Sequence, residues 1–174
     1  MKIIKTKIKD LLIIKKETFN DRRGFLRELY KEKIISQKFI FELISKSKKN
    51  VIRGLHLQKI DTQGKYVTVF SGKAFDVAVD LRKNSKTFGQ HFSIVLSGSQ
   101  NVSLYIPPGF AHGFCSLEND TIFHYKCTKY RHAKSEIGII WNDPKLNIKW
   151  PVKKPILSKK DKNNMTFDEC LKIL

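Results

Sequence analysis

The chain has 174 residues, of which 41% are hydrophobic and 11% aromatic, with 12 phenylalanines. That length and composition suit one globular domain over residues 1–174 and exclude a disordered chain. The formal charge of +18 raises nucleic acid or a phosphorylated small molecule as a partner, but the lysines are scattered from end to end without forming a stripe, the pattern of a solvated surface.

The N-terminal stretch MKIIKTKIKDLLIIKK is basic and partly apolar. Its apolar run, Leu11 to Ile14, is too short for the hydrophobic region of a signal peptide, and no small-residue cleavage site follows. No run approaches the roughly 20 apolar residues of a membrane helix, so a cytoplasmic protein with no membrane partner is expected. In NDRRGFLREL, Gly24 marks a turn flanked by Arg22 and Arg23, and the fork of arginine suits a diphosphate. Tyr30 to Lys38 is predicted as a short helix.

From residue 51 onward the chain reads as short strands. VIRGLHLQ (51–58) carries His56 beside Arg53 and Gly54. Lys65 opens a strand from Tyr66 to Phe70. In KAFDVAVDLR, Phe75, Val77, Val79 and Leu81 share one face; in HFSIVLS, Phe92, Ile94 and Leu96 do; in NVSLYIPP, Val102, Leu104 and Ile106 do. In TIFHYKC, Phe123, Tyr125 and Cys127 alternate with Ile122, His124 and Lys126, which allows Tyr125 to face an interior. Turn residues separate these runs, for example Ser71-Gly72 and Pro107-Pro108-Gly109. Short strands at this spacing predict an all-β sandwich or barrel with peripheral helices. A C-terminal helix is predicted from Thr166, which with Glu169 forms a capping box.

The three cysteines, Cys115, Cys127 and Cys170, are an odd number without metal-ligand spacing, which argues against a disulfide framework or a zinc site. PPGFAHGF holds the Pro-x-Gly-x-x-His pattern of the second cupin motif, ending at His112. A cupin is a double-sheet jelly roll, or double-stranded β-helix. Many cupins bind a metal through a His-x-His pair and a glutamate, but here the second position of the pair is Gln58 and KIDTQGKYVT contains no glutamate. A metal-free cupin is therefore expected. Its interior would work with side chains: His56, Lys65, His112 and Tyr125 supply base, cation and acid. The plainer alternatives are a turn hydrogen bond for His112, a core phenol for Tyr125 and a solvated cation for Lys65.

The segments FNDRRGFLREL (19–29), SKSKKNVIRGLHLQ (45–58), GKYVTVFSGKAFDVAVDLRKNSKTFGQ (64–90), YIPPGFAHGF (105–114), YKCTKY (125–130), SEIGIIWNDPKLNIKWP (135–151) and LSKKD (157–161) run in order along nearly the whole chain. Together they resemble the dTDP-4-dehydrorhamnose 3,5-epimerase family of nucleotide-sugar isomerases. The resemblance implies a cupin jelly-roll homodimer without metal or organic cofactor. Its substrate is a nucleotide diphosphate sugar with a ketone at carbon 4, which acidifies the protons on carbons 3 and 5.

By the same resemblance, His56 is the base, Asp161 orients it, Lys65 stabilises the enolate oxygen and Tyr125 is the acid on the opposite face. Arg53, Gln58, His112 and Tyr130 match substrate positions, and Arg23 and Glu28 match nucleotide positions. Without the resemblance, Asp161 reads as the partner of Ser158 in a capping box. The family usually carries Gln-Asp-Asn where this chain has Phe41-Glu42-Leu43, and RHAKSE, with His132, also departs from it. Loss of two hydrogen-bonding side chains predicts an altered ligand preference, with GDP-4-keto-6-deoxy-heptose as a substitute for the dTDP-linked 4-keto-6-deoxyhexose. Two competing readings are a cupin ketoisomerase and a non-catalytic module that binds a sugar nucleotide or nucleic acid.

Overall fold

The computed structural model describes residues 1–174. Two antiparallel sheets face each other as a cupin jelly roll. Six strands form the first, in the order β1 (Lys2–Lys5), β2 (Leu12–Lys15), β10 (Val102–Ile106), β7 (Lys65–Ser71), β12 (Thr121–Cys127) and β5 (Phe41–Ser47). Five form the second, in the order β13 (Glu136–Gly138), β6 (Ile52–Gln58), β11 (Phe110–Ser116), β8 (Lys73–Asp80) and β9 (His91–Ser97). A separate hairpin pairs β3 (Thr18–Asp21) with β4 (Gly24–Arg27). No helix is long and apolar enough to cross a membrane.

Between the sheets, Val67, Val69, Leu96, Leu104, Ile106, Phe114 and Phe123 form the main core. Inward strand positions supply it, as the alternation of β9, β10 and β12 predicts. In β8 the two faces pack separately. Val77, Val79 and Leu81 do share a face, but it is the outer one, packed with Leu55, Leu57, Ile139, Leu146 and Phe167 under the C-terminal segment. Small Ala74 and Ala78 take the inner face. The five-stranded sheet is thus covered on both sides, and all of β11 is buried.

The predicted helix over Tyr30 to Lys38 is replaced by a single 3₁₀ turn at Glu32–Ile34. Lys31 provides no side-chain cap, and β-branched Ile34 and Ile35 disfavour a helix. Instead the segment lies on the outer face of the six-stranded sheet, where Tyr30 and Phe39 meet Tyr66 at ring distances of 5.5 and 6.2 Å.

At the C-terminus, α1 (Lys159–Lys162) and α2 (Phe167–Ile173) are both capped as the sequence predicts. Ser158 Oγ accepts from Asp161 N at 3.0 Å, and Thr166 with Glu169 completes a capping box. Buried Asp143 ties the WNDP loop to α2 by accepting from Phe167 N at 2.8 Å. All three cysteines are free and buried.

β6 and β11 approach closely where Gly54 meets Gly113. Gly54 has φ +126°, and a Cβ there would lie 2.5 Å from Gly113 Cα and 2.8 Å from the His112 carbonyl oxygen. Only glycine fits such a conformation and spacing. The contact holds Arg53 and His56 on one strand beside His112 on the next, with His56 and His112 in register.

Candidate active site

A cavity of about 510 Å³ opens between the sheets. Its wall includes Arg53, His56, Lys65, His112, Tyr125 and Asp161, brought from β6, β7, β11, β12 and α1. Two larger clefts near the N-terminal strands, of about 650 and 680 Å³, contain no histidine or histidine–carboxylate pair. The chemistry therefore concentrates in the smaller one.

His56 Nε2 lies 2.6 Å from Asp161 Oδ1. The other carboxylate oxygen accepts from Ser158 Oγ at 2.8 Å. Asp161 therefore both belongs to the cap of α1 and orients His56. Burial pushes the Asp161 carboxyl up, but the His56 contact and the hydrogen bonds from Ser158 and Asn164 outweigh it and hold the group below its ordinary value. With Nε2 donating to this carboxylate, Nδ1 carries the lone pair and is the nitrogen that accepts a proton.

A second pair lies deeper. His112 Nε2 is 2.8 Å from Asp76 Oδ2, and both residues are buried. The partner of His112 is thus a carboxylate rather than a turn. Asp76 Oδ1 is buried without a hydrogen-bond partner. The His112 ring meets Tyr125 edge-on at 6.2 Å.

Lys65 makes no ion pair. Burial lowers its pKa, against opposing pulls from Cys127, Glu136 and Asp76. An incompletely compensated ammonium on a partly buried wall favours an arriving negative charge. Tyr125 shifts the other way: burial raises its pKa, Asp76 and Cys127 add to the rise, and Ser45 and Arg53 oppose it. The phenol is therefore held protonated, as a proton donor must be.

Four residues named from the sequence lie outside this wall. Arg23 is exposed on the β3–β4 hairpin and pairs with Asp21 at 2.5 Å. Glu28 pairs with Lys31 at 2.7 Å, while its Oε2 is buried without a partner. The Gln58 amide is engaged with backbone, donating to Asp61 O at 2.8 Å and Tyr130 O at 3.1 Å and accepting from His132 N at 2.8 Å. That amide fixes the segment carrying Tyr130, whose exposed ring lies 6.1 Å from Phe41. No group of three or more His, Cys, Asp or Glu side chains is placed to hold a metal.

The wall also contains Glu136, Arg131 and Lys160, which periodicity and motif spacing do not single out. Glu136 pairs with Lys160 and, at 3.4 Å, with Arg131. Burial raises the Glu136 carboxyl, but Lys160, the His56 charge and Arg131 together bring it below its ordinary value. The one sequence signal is position: Lys160 immediately precedes Asp161, and Glu136 lies in the SEIG segment.

The family model described as dTDP-4-dehydrorhamnose 3,5-epimerase matches residues 5–169. A curated dTDP-4-dehydrorhamnose 3,5-epimerase from Salmonella typhimurium is 46% identical over 179 residues, 98% of each chain. The crystal structure of dTDP-6-deoxy-D-glucose-3,5-epimerase from Legionella pneumophila in complex with dTDP-4-keto-L-rhamnose is 43% identical. It superposes with a TM-score of 0.92, covering 96% of this chain and 93% of that one. A Bacillus anthracis dTDP-4-dehydrorhamnose 3,5-epimerase structure with TDP and PPi bound is 40% identical with a TM-score of 0.92, over 95% of this chain and 99% of that one. Fold, cavity and relatives agree: this chain belongs to the dTDP-4-dehydrorhamnose 3,5-epimerase family of isomerases.

Proposed function

We propose that this chain inverts carbon 3, carbon 5 or both in a nucleotide diphosphate 4-keto-6-deoxy sugar. The observation that carries the reading is the His56–Asp161 pair at 2.6 Å, in one cavity with Lys65 and Tyr125. His56 Nδ1 takes the proton from the carbon beside the ketone. The C–H electron pair becomes the enolate double bond, and the carbonyl oxygen takes negative charge beside Lys65. Tyr125 then gives its hydroxyl proton to the opposite face of the same carbon. Solvent reprotonates the phenolate and removes the proton from His56, so the cycle needs no cofactor.

The names of the relatives support a dTDP-linked 4-keto-6-deoxyhexose as substrate. Phe41 and Leu43 on the cavity wall support the second substrate reading, GDP-4-keto-6-deoxy-heptose, since neither side chain forms hydrogen bonds. The relatives favour epimerisation over ketoisomerisation or binding alone. A cytoplasmic role in making surface-polysaccharide precursors, capsule included, fits such a product.

A homodimer completes the reading. The β3–β4 hairpin exposes Phe19, Phe25 and Leu26, at 55%, 62% and 73%, an apolar tip suited to burial against a second copy. Arg23 and Glu28 lie on or beside that hairpin, away from their own cavity. A second copy would bring them to a nucleotide. Parallel assays with the dTDP-hexose and the GDP-heptose, read by proton NMR in D₂O, test the function. Deuterium at carbon 3 or 5 with an inverted product supports it, and carbonyl migration without exchange at carbon 5 would support a ketoisomerase instead.

A further inference from the structure

The lysines are scattered along the sequence, but the fold gathers four of them. Lys7 and Lys9, between β1 and β2, and Lys83 and Lys86, in the loop after β8, line one cleft of about 680 Å³. No hydrophobic side chain lines it, and it shares no lining residue with the cavity of His56.

Arg82 ties the two segments together. It donates to the Lys9 carbonyl oxygen and to Asp10 Oδ2, both at 3.0 Å, and to the Asp80 carboxylate at 2.8 and 2.9 Å. Asp80 is fully buried and also accepts from Ser85 Oγ at 2.6 Å and Thr87 Oγ1 at 2.7 Å. The guanidinium lies over the Phe110 ring, 4.7 Å from its centroid. The cleft is thus braced by a network anchored in the core. That network also consumes Asp10, the one carboxylate among the lining residues. Lys7, Lys9, Lys83 and Lys86 are exposed, and none forms an ion pair. The backbone N–H groups of Lys83, Asn84 and Lys86 make no hydrogen bond within the chain and add donors to the same loop.

Four ammonium groups without counter-charge create a local positive potential, which a compact, multiply charged anion relieves. An ammonium is a point charge with three donors, suited to phosphoryl oxygens approached from several directions. A triphosphate carries about four negative charges near neutral pH, matching the four lysines. The lining offers no apolar or aromatic surface to a nucleobase or an acyl chain.

We propose that this cleft binds an oligophosphate of three or more phosphoryl groups, separately from the sugar nucleotide. It reads the charge of the phosphates and not what they are attached to. Inorganic tripolyphosphate and the triphosphate of a nucleotide present the same chemistry, and titration of both separates the two sources.

The test is calorimetry at about 50 mM salt, with saturating dTDP present to occupy the cavity of His56. It compares wild type, Lys83→Gln/Lys86→Gln, Lys7→Gln/Lys9→Gln and the control Lys153→Gln/Lys154→Gln, which removes the same charge elsewhere on the surface. Tripolyphosphate and ATP are expected to bind wild type within about threefold of each other. Each cleft pair should weaken both by about 10-fold or more, and the control by about twofold at most. No binding to wild type, equal weakening in the control, or binding of ATP without tripolyphosphate would overturn the assignment. Binding that disappears when dTDP is added would place the anion in the cavity of His56 and overturn it too. A thymidine oligonucleotide held more tightly than either ligand, through the same lysines, would make the cleft a nucleic-acid surface instead.

Discussion

His56 and Asp161 are 105 positions apart in the chain, and their side chains meet at 2.6 Å. The carboxylate is held from its other oxygen by Ser158, so it fixes both the tautomer and the orientation of the imidazole. Asp161→Asn keeps the shape but lets the ring adopt the tautomer with Nδ1 protonated. Turnover should fall on the order of 100-fold or more, with substrate KM changed far less. Steady-state kinetics on the dTDP-linked 4-keto-6-deoxyhexose checks this, and a matching rise in KM would show that Asp161 serves binding instead.

Lys65 gives a prediction with a sign. Burial lowers its pKa, while burial raises that of Tyr125. As pH rises, the ammonium proposed to meet the enolate oxygen is lost first. Activity should decline on the basic side below the ordinary lysine range, and Tyr125→Phe should not move that limb. Lys65→Ala should lower kcat by about 100-fold while dTDP binding stays within a few-fold. A pH–rate profile of wild type and both variants measures this.

The contact of Gly54 with Gly113 makes a structural prediction. Gly54→Ala forces a Cβ to within 2.5 Å of backbone at φ +126°. Destabilisation of roughly 2–4 kcal/mol is expected. Thermal unfolding should show a midpoint lowered by about 5–15 °C.

Asp80 is fully buried, and burial raises its carboxyl, but donors from Arg82, Ser85 and Thr87 outweigh this and lower its pKa from 3.8 to about 2. A depressed folded-state value stabilises the fold above the unfolded value, and that stability is lost as pH falls from about 4 to about 2. The contribution is on the order of 2 kcal/mol. Asp80→Asn should be less stable than wild type at neutral pH, with the gap narrowing through that acid window in denaturant titrations.

Strand alternation made most of the sandwich legible, because each inward run of β9, β10 and β12 has a period of two. The same rule grouped Val77, Val79 and Leu81 but not the side of the sheet they face. That depends on the C-terminal segment packing over them, which local pattern does not encode. The spacing in DVAVDLRKNSKTFG becomes intelligible only in the fold, where Arg82, Ser85 and Thr87 converge on Asp80. In the site, Arg53, His56, Lys65, His112, Tyr125 and Asp161 are all legible in the sequence motifs and line one cavity. Motif resemblance, not periodicity, drew Asp161 to His56, since nothing local links residues so far apart. Glu136, Arg131 and Lys160 carry no such signal, since in so lysine-rich a chain their charges look like solvated surface.

The proposed reaction begins when His56 removes a proton from a carbon beside the sugar ketone. Incubation of wild type and His56→Ala with dTDP-4-keto-6-deoxyglucose in D₂O, followed by proton NMR, tests it most directly. Wild type should incorporate deuterium at carbon 3, carbon 5 or both, and His56→Ala should exchange only at the uncatalysed rate. Exchange that persists at wild-type rate in His56→Ala would contradict it.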